Sequence, residues 1–534
     1  MEGMTVPGIR RGYGLARISL ERTDVQTRNA SLRTEIAAFR LSGSSEKDSV
    51  FWLFYLLLEL EKSGSLYLDL AEYSEFISGK GLVWNPDSLG DRNIKKYIVF
   101  ENERFFFQSL HRLEEECAEM ILRQKNFGTV PVSEYQPEQT LSEEQNRAVK
   151  TALESRLTLL TGGPGTGKTS ILKVVLKKLF QSGISPKQTA LTAPSGKAAK
   201  RMQESMEDLF REYPDLSAPV TIHRLLGYNP ASSAFRFNSE NPINASVLIA
   251  DEASMIDVRI MNALLKAFCF NGIENSRLIL SGDPNQLLSV DSGQVFSDLV
   301  QSGINTVRLT KTFRQSEEAA SIRIFSENIL KGTAKLQDLQ RMEEGEDFTG
   351  IRMADSDETD PEKMLRWYAD RQSQSLQILS PYNEGTGGVD EINRFMQEKM
   401  DSENSCPAMV TRNLSDLNLF NGETGLLSLN GGELFFIQSG KKTKIPYYLK
   451  PCIVPAYAVT IHKSQGSEYD HVCLVLPERS RQGKMNSVLN IRLLFTAVTR
   501  AKKSLLIIGK EEVFKEAMQN IPKRKSALLD KLNS

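Results

Sequence analysis

Apolar runs of strand length recur through the middle of the chain, and each stops at a small or acidic residue. They are Leu157–Thr161, Thr189–Thr192, Val247–Ala250, Leu278–Ser281 and Val307–Leu309. Stretches of helical periodicity, such as Ser170–Phe180 and Gly196–Leu209, separate them. Strands alternating with helices predict a parallel sheet covered on both faces. The pattern restarts at Gln377–Leu379, Val472–Val475 and Leu505–Ile508, so two α/β units are expected. Between them, Ala408–Tyr457 is rich in Gly, Thr, Asn and Lys, with turn signals at Asn421-Gly422, Asn430-Gly431 and Ser439-Gly440. That texture predicts a small all-β insertion built from hairpins. Upstream, Val50–Lys62 predicts a buried helix, Tyr97–Phe100 a short strand and Phe105–Gln124 an amphipathic helix. A polar, proline-bearing boundary follows at Gln136–Gln139. The expected division is 1–135, 136–345 and 346–534, with the insertion at about 408–457.

Composition narrows the class without naming it. A length of 534 residues suits several domains with their own cores. The formal net charge of -1, from 66 basic and 67 acidic side chains, announces no nucleic-acid partner. A polyanion would have to be met by cations focused on one groove. Residues 1–135 carry 17 basic and 20 acidic side chains, which suits a module that docks rather than one that grips DNA. Five scattered cysteines without a CxxC pair argue against zinc or a disulfide framework and fit a reducing cytosol. The most apolar stretch, Val50–Leu58, is far short of the roughly twenty residues that span a membrane. Met1–Arg11 lacks the order of a signal peptide, so a cytoplasmic location is expected.

The chemistry begins at Gly162-Gly163-Pro164-Gly165-Thr166-Gly167-Lys168-Thr169, which satisfies G-x-x-x-x-G-K-[ST] between a strand and a helix. Glycines let backbone N–H groups converge on phosphate oxygens where a Cβ would block approach. Lys168 is then expected on the β- and γ-phosphates of ATP, with the Thr169 hydroxyl on Mg²⁺. Asp251 and Glu252 end the strand Val247–Ala250. Asp251 suits the metal, and Glu252 suits the base that orients attacking water. Acidic pairs after strands are common on surfaces, and the phosphate loop is what raises this pair above them. Charge on the γ-phosphate calls for an arginine, and Arg314 and Arg500 are the candidates.

Further segments share one order along the chain. Ala193-Pro194-Ser195-Gly196-Lys197-Ala198-Ala199, Thr221-Ile222-His223 and Asp251-Glu252-Ala253-Ser254 come first. Gly282-Asp283-Pro284-Asn285-Gln286-Leu287 and Thr460-Ile461-His462-Lys463-Ser464-Gln465-Gly466-Ser467-Glu468-Tyr469-Asp470 follow. Together they resemble the helicase motif set of superfamily 1 and, more narrowly, the RecD family, the alpha subunit of exodeoxyribonuclease V. The resemblance implies two RecA-like parallel-sheet domains, an SH3-like insertion and a mainly helical N-terminal partner-docking domain. It places Gln145 on the adenine, Gln286 on the γ-phosphate, and Arg314 and Arg500 as arginine fingers. Glu468 would meet the nucleotide from the second unit. Pro194, Ser195, Lys197, His223, Thr460 and His462 would lie along single-stranded DNA. Lys200 and Arg201 add charge beside them, or simply face solvent. The implied activity is an ATP-dependent 5′–3′ DNA helicase that processes double-strand breaks in recombinational repair. The implied partners are DNA ends, a RecB-like helicase–nuclease subunit and a RecC-like scaffold subunit, with cleavage left to a partner.

A stand-alone superfamily 1 helicase is the nearest alternative, disfavoured because no relaxase-like tyrosine and histidine-triad module precedes the motor. An ATP-binding regulatory subunit conflicts with the intact Asp251-Glu252 pair. A metabolite kinase on the same loop leaves the second unit unexplained. Lys168→Ala should abolish ATP hydrolysis, measured as phosphate release.

Overall fold

The computed structural model describes residues 37–38, 49–79, 96–126, 128, 130, 135–269, 275–289, 291–312, 320–343, 348–354, 361–371, 375–400, 405–438, 440–477, 488–522 and 524–533. At the N-terminal end, helix α1 (Ser49–Lys62) packs on a three-stranded antiparallel sheet of β1 (Tyr67–Asp69), β2 (Ile98–Glu101) and β3 (Arg104–Phe107), ordered β1-β3-β2. Helix α2 (Gln108–Asn126) follows. The helix expected from Phe105 therefore starts three residues later. Asn102 and Glu103 both hold positive φ between β2 and β3, a tight hairpin turn; Phe105 and Phe106 pair with both flanking strands and Phe107 with β2. Three consecutive aromatics on a sheet-compatible run are more favourable there than in the first turn of a helix.

The first α/β unit opens with α3 (Glu143–Glu154), whose Ser142 and Gln145 form a reciprocal capping box. Its strands are β4 (Leu157–Gly162), β5 (Thr189–Ala193), β6 (Val220–Thr221), β7 (Val247–Ala250), β8 (Arg277–Gly282) and β9 (Thr306–Leu309). They form one parallel sheet in the order β9-β4-β8-β7-β5-β6. Strands β4, β5, β7 and β8 are buried along their whole length. This is the burial expected where helices cover both faces. Helices α4 (Lys168–Gln181), α5 (Gly196–Ser205), α6 (Val258–Cys269) and α7 (Val295–Ser302) connect them.

The second unit is also parallel, in the order β10-β17-β16-β11-β15 when its strands are β10 (Gly350–Ala354), β11 (Leu376–Ser380), β15 (Ala458–Thr460), β16 (Tyr469–Leu476) and β17 (Ala501–Gly509). Neither edge strand, β10 nor β15, was visible as an apolar run. The insertion is a five-stranded antiparallel sheet. Its three central strands are β12 (Ser405–Val410), β13 (Thr424–Asn430) and β14 (Glu433–Gln438), flanked by Lys441–Ile445 and Ile453–Pro455.

The N-terminal module shares an apolar core with the first unit. Val50, Phe54, Phe105 and Ile121 lie in the same buried cluster as Val258, Leu265, Phe268 and Phe296. The C-terminal segment closes the same junction. Arg524 donates to Ser289, Asp291 and Gly293 of the first unit, while Leu66 N–H donates to the Lys525 carbonyl. Buried Glu114 of α2 accepts from the Ser526 hydroxyl at 2.6 Å and from the Ala527 and Leu528 N–H groups. Burial pushes the Glu114 carboxyl up to about 7 and that of nearby Asp298 up to about 6. A carboxyl raised on folding contributes least once both states are ionised, so this junction weakens as pH rises from about 5 to 8. Glu114→Gln should melt above wild type at pH 8, by on the order of 1–3 kcal/mol, and match it near pH 5, measured by thermal denaturation.

Candidate nucleotide and nucleic-acid site

Strand β4 delivers the phosphate loop to the carboxyl edge of the sheet, where ligands of open α/β sheets bind. Gly165 and Gly167 hold φ of 75° and 84°, a left-handed conformation that opens α4 with its first N–H groups unpaired within the helix. Lys168 Nζ donates to the Gly162 and Gly163 carbonyls at 2.5 and 3.1 Å, and Thr166 Oγ1 donates to Gly163 at 2.9 Å. Pro164 through Thr169 line a cavity of about 290 Å³. The neighbouring strand β7 brings Asp251 and Glu252 to the same cavity. Glu252 sits at φ 53°, uncommon for a side chain other than glycine, and its N–H donates to Asp251 Oδ1 at 2.9 Å. That backbone turn aims both carboxylates into one space.

The opposite wall comes from the second unit. Helix α8 (Ile491–Val498) ends just before β17, and Arg500 in the turn between them is only 2% exposed. Its guanidinium donates to the Thr496 and Ser467 carbonyls, both at 3.0 Å, and across the cleft to Gln286 Oε1 at 3.2 Å. Gln286 in turn donates to Asp283 at 3.2 Å, and Leu287 N–H donates to Thr496 Oγ1 at 3.2 Å. Glu468 and Gly466 line the cavity beside Arg500, and Arg201 of α5 reaches both.

The electrostatics follow from this crowding. Burial first, then the adjacent Asp251, pushes the Glu252 carboxyl up, against the pull of Lys168, Arg500 and Arg201. Burial likewise raises Asp283. Thr169 and Asp251 offer hard oxygen donors at one cavity, which fits Mg²⁺.

The segments expected along DNA follow the carboxyl ends of β5 and β6 and the end of β15. Ala193 pairs with Thr221, which sets Pro194 and Ser195 beside Ile222 and His223. Ser195 caps α5, accepting from Ala198 N–H at 3.2 Å. Lys197 Nζ donates to the carbonyl of Lys463 of the second unit at 3.2 Å, next to His462, while Thr460 is buried with its Oγ1 accepting from Lys463 N–H at 3.3 Å. Burial and then Arg500 push the Lys197 ammonium down to about 8. His223 is exposed and edge-on to Tyr228, 5.4 Å between ring centres, with Phe235 alongside.

The family described as AAA domain matches residues 140–352, and the UvrD-like helicase C-terminal domain matches residues 455–508. The RecBCD enzyme subunit RecD of Haemophilus influenzae is 31% identical over 74% of this chain and 73% of that protein. The chain belongs to the RecD family. The RecBCD enzyme subunit RecD of Mycolicibacterium smegmatis is 32% identical over 73% of this chain and 75% of that protein. The ATP-dependent RecD2 DNA helicase of Deinococcus radiodurans is 28% identical over 74% of this chain and 53% of that protein. A solved Pif1 helicase from Candida albicans aligns at a TM-score of 0.44 and 17% identity, covering 74% of this chain and 98% of that one.

In this RecD-family chain the structure brings Lys168, Thr169, Asp251, Glu252, Gln286, Glu468 and Arg500 around one cavity. Gln145 stands behind it. Its amide nitrogen donates to the Thr166 carbonyl at 3.4 Å, and its oxygen accepts from Ser142 N–H. Arg314 lies outside the described residues. Two participants escaped the sequence reading. Asp283, 1% exposed, orients Gln286; it stands inside the quoted segment, but nothing in the spacing assigned it a role. Arg201, read as cation or solvated face, is turned into the cleft. With Glu252 as the expected base, which must be deprotonated to work, its raised carboxyl should set the acid limb of ATPase activity above the ordinary carboxylate range. Activity should be lost as pH falls through it, and Glu252→Asp should move the limb, measured as kcat against pH.

Proposed function

We propose that this chain is an ATP-driven 5′–3′ DNA helicase acting as the alpha subunit of a heteromeric helicase–nuclease that processes double-strand breaks. Its partners would be DNA ends, a RecB-like helicase–nuclease subunit and a RecC-like scaffold subunit. The observation that carries the motor reading is Arg500. A cation from one parallel-sheet unit is buried against Gln286 of the other, beside Lys168 and Glu252.

In this reading the loop N–H groups cradle the phosphates, and Lys168 exchanges loop carbonyls for phosphate oxygens. Thr169 and Asp251 would hold Mg²⁺, which when bound neutralises phosphate charge. Glu252 orients water and takes its proton. Arg500 stabilises charge on the transferring group, a contribution of roughly 10³–10⁵ in rate for such arginines. Gln286, shared between Asp283 and Arg500, senses whether the γ-phosphate is present. Gln145, set behind the loop, reads the adenine edge, and Arg314 is a second finger. Hydrolysis loosens the seam between the units. A strand held by Pro194, Ser195, Lys197 and His223 on one side and by Thr460 and His462 on the other is then passed along. The grip is made of cations and hydroxyls for the backbone with an aromatic edge for bases.

Forked duplexes carrying only a 5′ or only a 3′ tail test polarity and motor function together. Unwinding of the 5′-tailed fork alone, with ATPase stimulated by single-stranded DNA, is expected. ATP turnover indifferent to DNA would sink the motor reading.

A further inference from the structure

Helix α5 is ten residues long and touches three bodies at once. Its apolar face, Ala198, Ala199 and Met202, is buried on the first unit. Of its cations, two neighbours in sequence hold carboxylates on different bodies. Arg201 pairs with Glu468 of the second unit at 2.8 Å and donates to the Gly466 carbonyl at 2.9 Å. Lys200 pairs with Glu423 of the antiparallel insertion at 2.9 Å and donates to Gln438 Oε1 at 2.6 Å. Glu423 is 1% exposed, and its other oxygen accepts from Phe420 N–H at 3.3 Å.

The insertion also rests on the start of the helix. A Cβ at Gly196 would lie 2.8 Å from the Phe420 ring, so only glycine allows this approach. Gly196 and Lys197 belong to the segment proposed to carry the DNA strand. The insertion therefore lies against that path along the Lys197 and Lys200 side of α5, and the nucleotide cleft lies along its Ala198, Arg201 and Ser205 side. Successive helical residues project about 100° apart. A rigid helix with Lys200 and Arg201 each committed to a buried carboxylate cannot shift toward one partner without straining the other. A buried carboxylate stripped of its cation is costly, so neither pair is readily exchanged for water.

We propose that α5 is a coupling element in which Lys200 is a positioning residue, tying the insertion, through Glu423, to closure of the nucleotide cleft through Arg201 and Glu468. This rests on the motor reading above. It predicts that the influence of DNA on ATP turnover passes in large part through the Lys200–Glu423 pair. Binding linkages of this kind are typically worth 5–150-fold.

The full-length chain and its K200M, K200R, E423Q and K200M/E423Q variants test it, with ATP turnover measured against ATP concentration with and without saturating oligothymidylate. K200M should keep DNA-free turnover within about twofold of wild type while stimulation by DNA falls at least about fivefold. K200R, which keeps the cation, should retain most of the stimulation. The double variant should be no worse than K200M, because both changes cut one link. Full stimulation of K200M overturns the inference, as do losses in the double variant that multiply those of the singles. E423Q should lose stimulation as K200M does and leaves no buried charge unpaired, so it carries the test even if K200M, which strips Glu423 of its cation, melts early. Wild type unresponsive to DNA would remove the motor reading and this inference with it. A responsive wild type matched by K200M removes the inference alone.

Discussion

The burial of one guanidinium at a seam between two sheets organises this molecule. Arg500 gives up water on nearly all sides, a loss a cation tolerates only when its donors find fixed acceptors. Two of those acceptors, the Thr496 and Ser467 carbonyls, belong to its own unit, and the third, Gln286, belongs to the other. The arginine is therefore held in place by its own domain and spends one donor across the gap. Thr496 adds a second stitch by accepting from Leu287 N–H. A contact of this kind registers the separation of the two units directly, and a charge arriving on the phosphate loop competes for the same donors.

Around that arginine the cleft alternates sign. Lys168, Arg201 and Arg500 share the cavity with Asp251, Glu252 and Glu468; Glu252 feels all three cations, and Glu468 pairs with Arg201. Glu252 remains pushed up because burial outweighs those cations. The balance suits a site that receives a polyanion, since an excess of fixed negative charge would repel it.

The far side of the first unit is tied more tightly. Its core continues into the N-terminal module, and the chain's end returns from the second unit to lie across both, through Arg524 on Ser289 and Gly293 and through Glu114 on residues 526–528. The second unit is thus attached to the first at the nucleotide seam and again by its C-terminal segment. The side-chain links across the seam are polar apart from Leu287, which is set into the second unit's core, whereas the junction with the N-terminal module is apolar and continuous.

Much of this was written locally. The phosphate loop, the acids after β7 and the buried strands of the first sheet depend on neighbours within a few residues, and their spacing in sequence is their spacing in space. Belonging to the RecD family was likewise legible, because ordered motifs survive as short strings. Other features depend on residues far apart in the chain. Phe105–Phe107 became a strand through pairing with residues 67–69 and 98–101, which periodicity in that stretch alone does not contain. The edge strands β10 and β15 exist because a longer neighbour offers them hydrogen bonds. Lys200 and Arg201 look like solvated cations until the fold sets Glu423 and Glu468, more than 200 residues on, against them. What the sequence determined alone is the chemistry each loop can perform, since that is fixed by residue type and local turn geometry. The tertiary structure decided which charges are buried and paired, because desolvation depends on what the rest of the chain brings alongside.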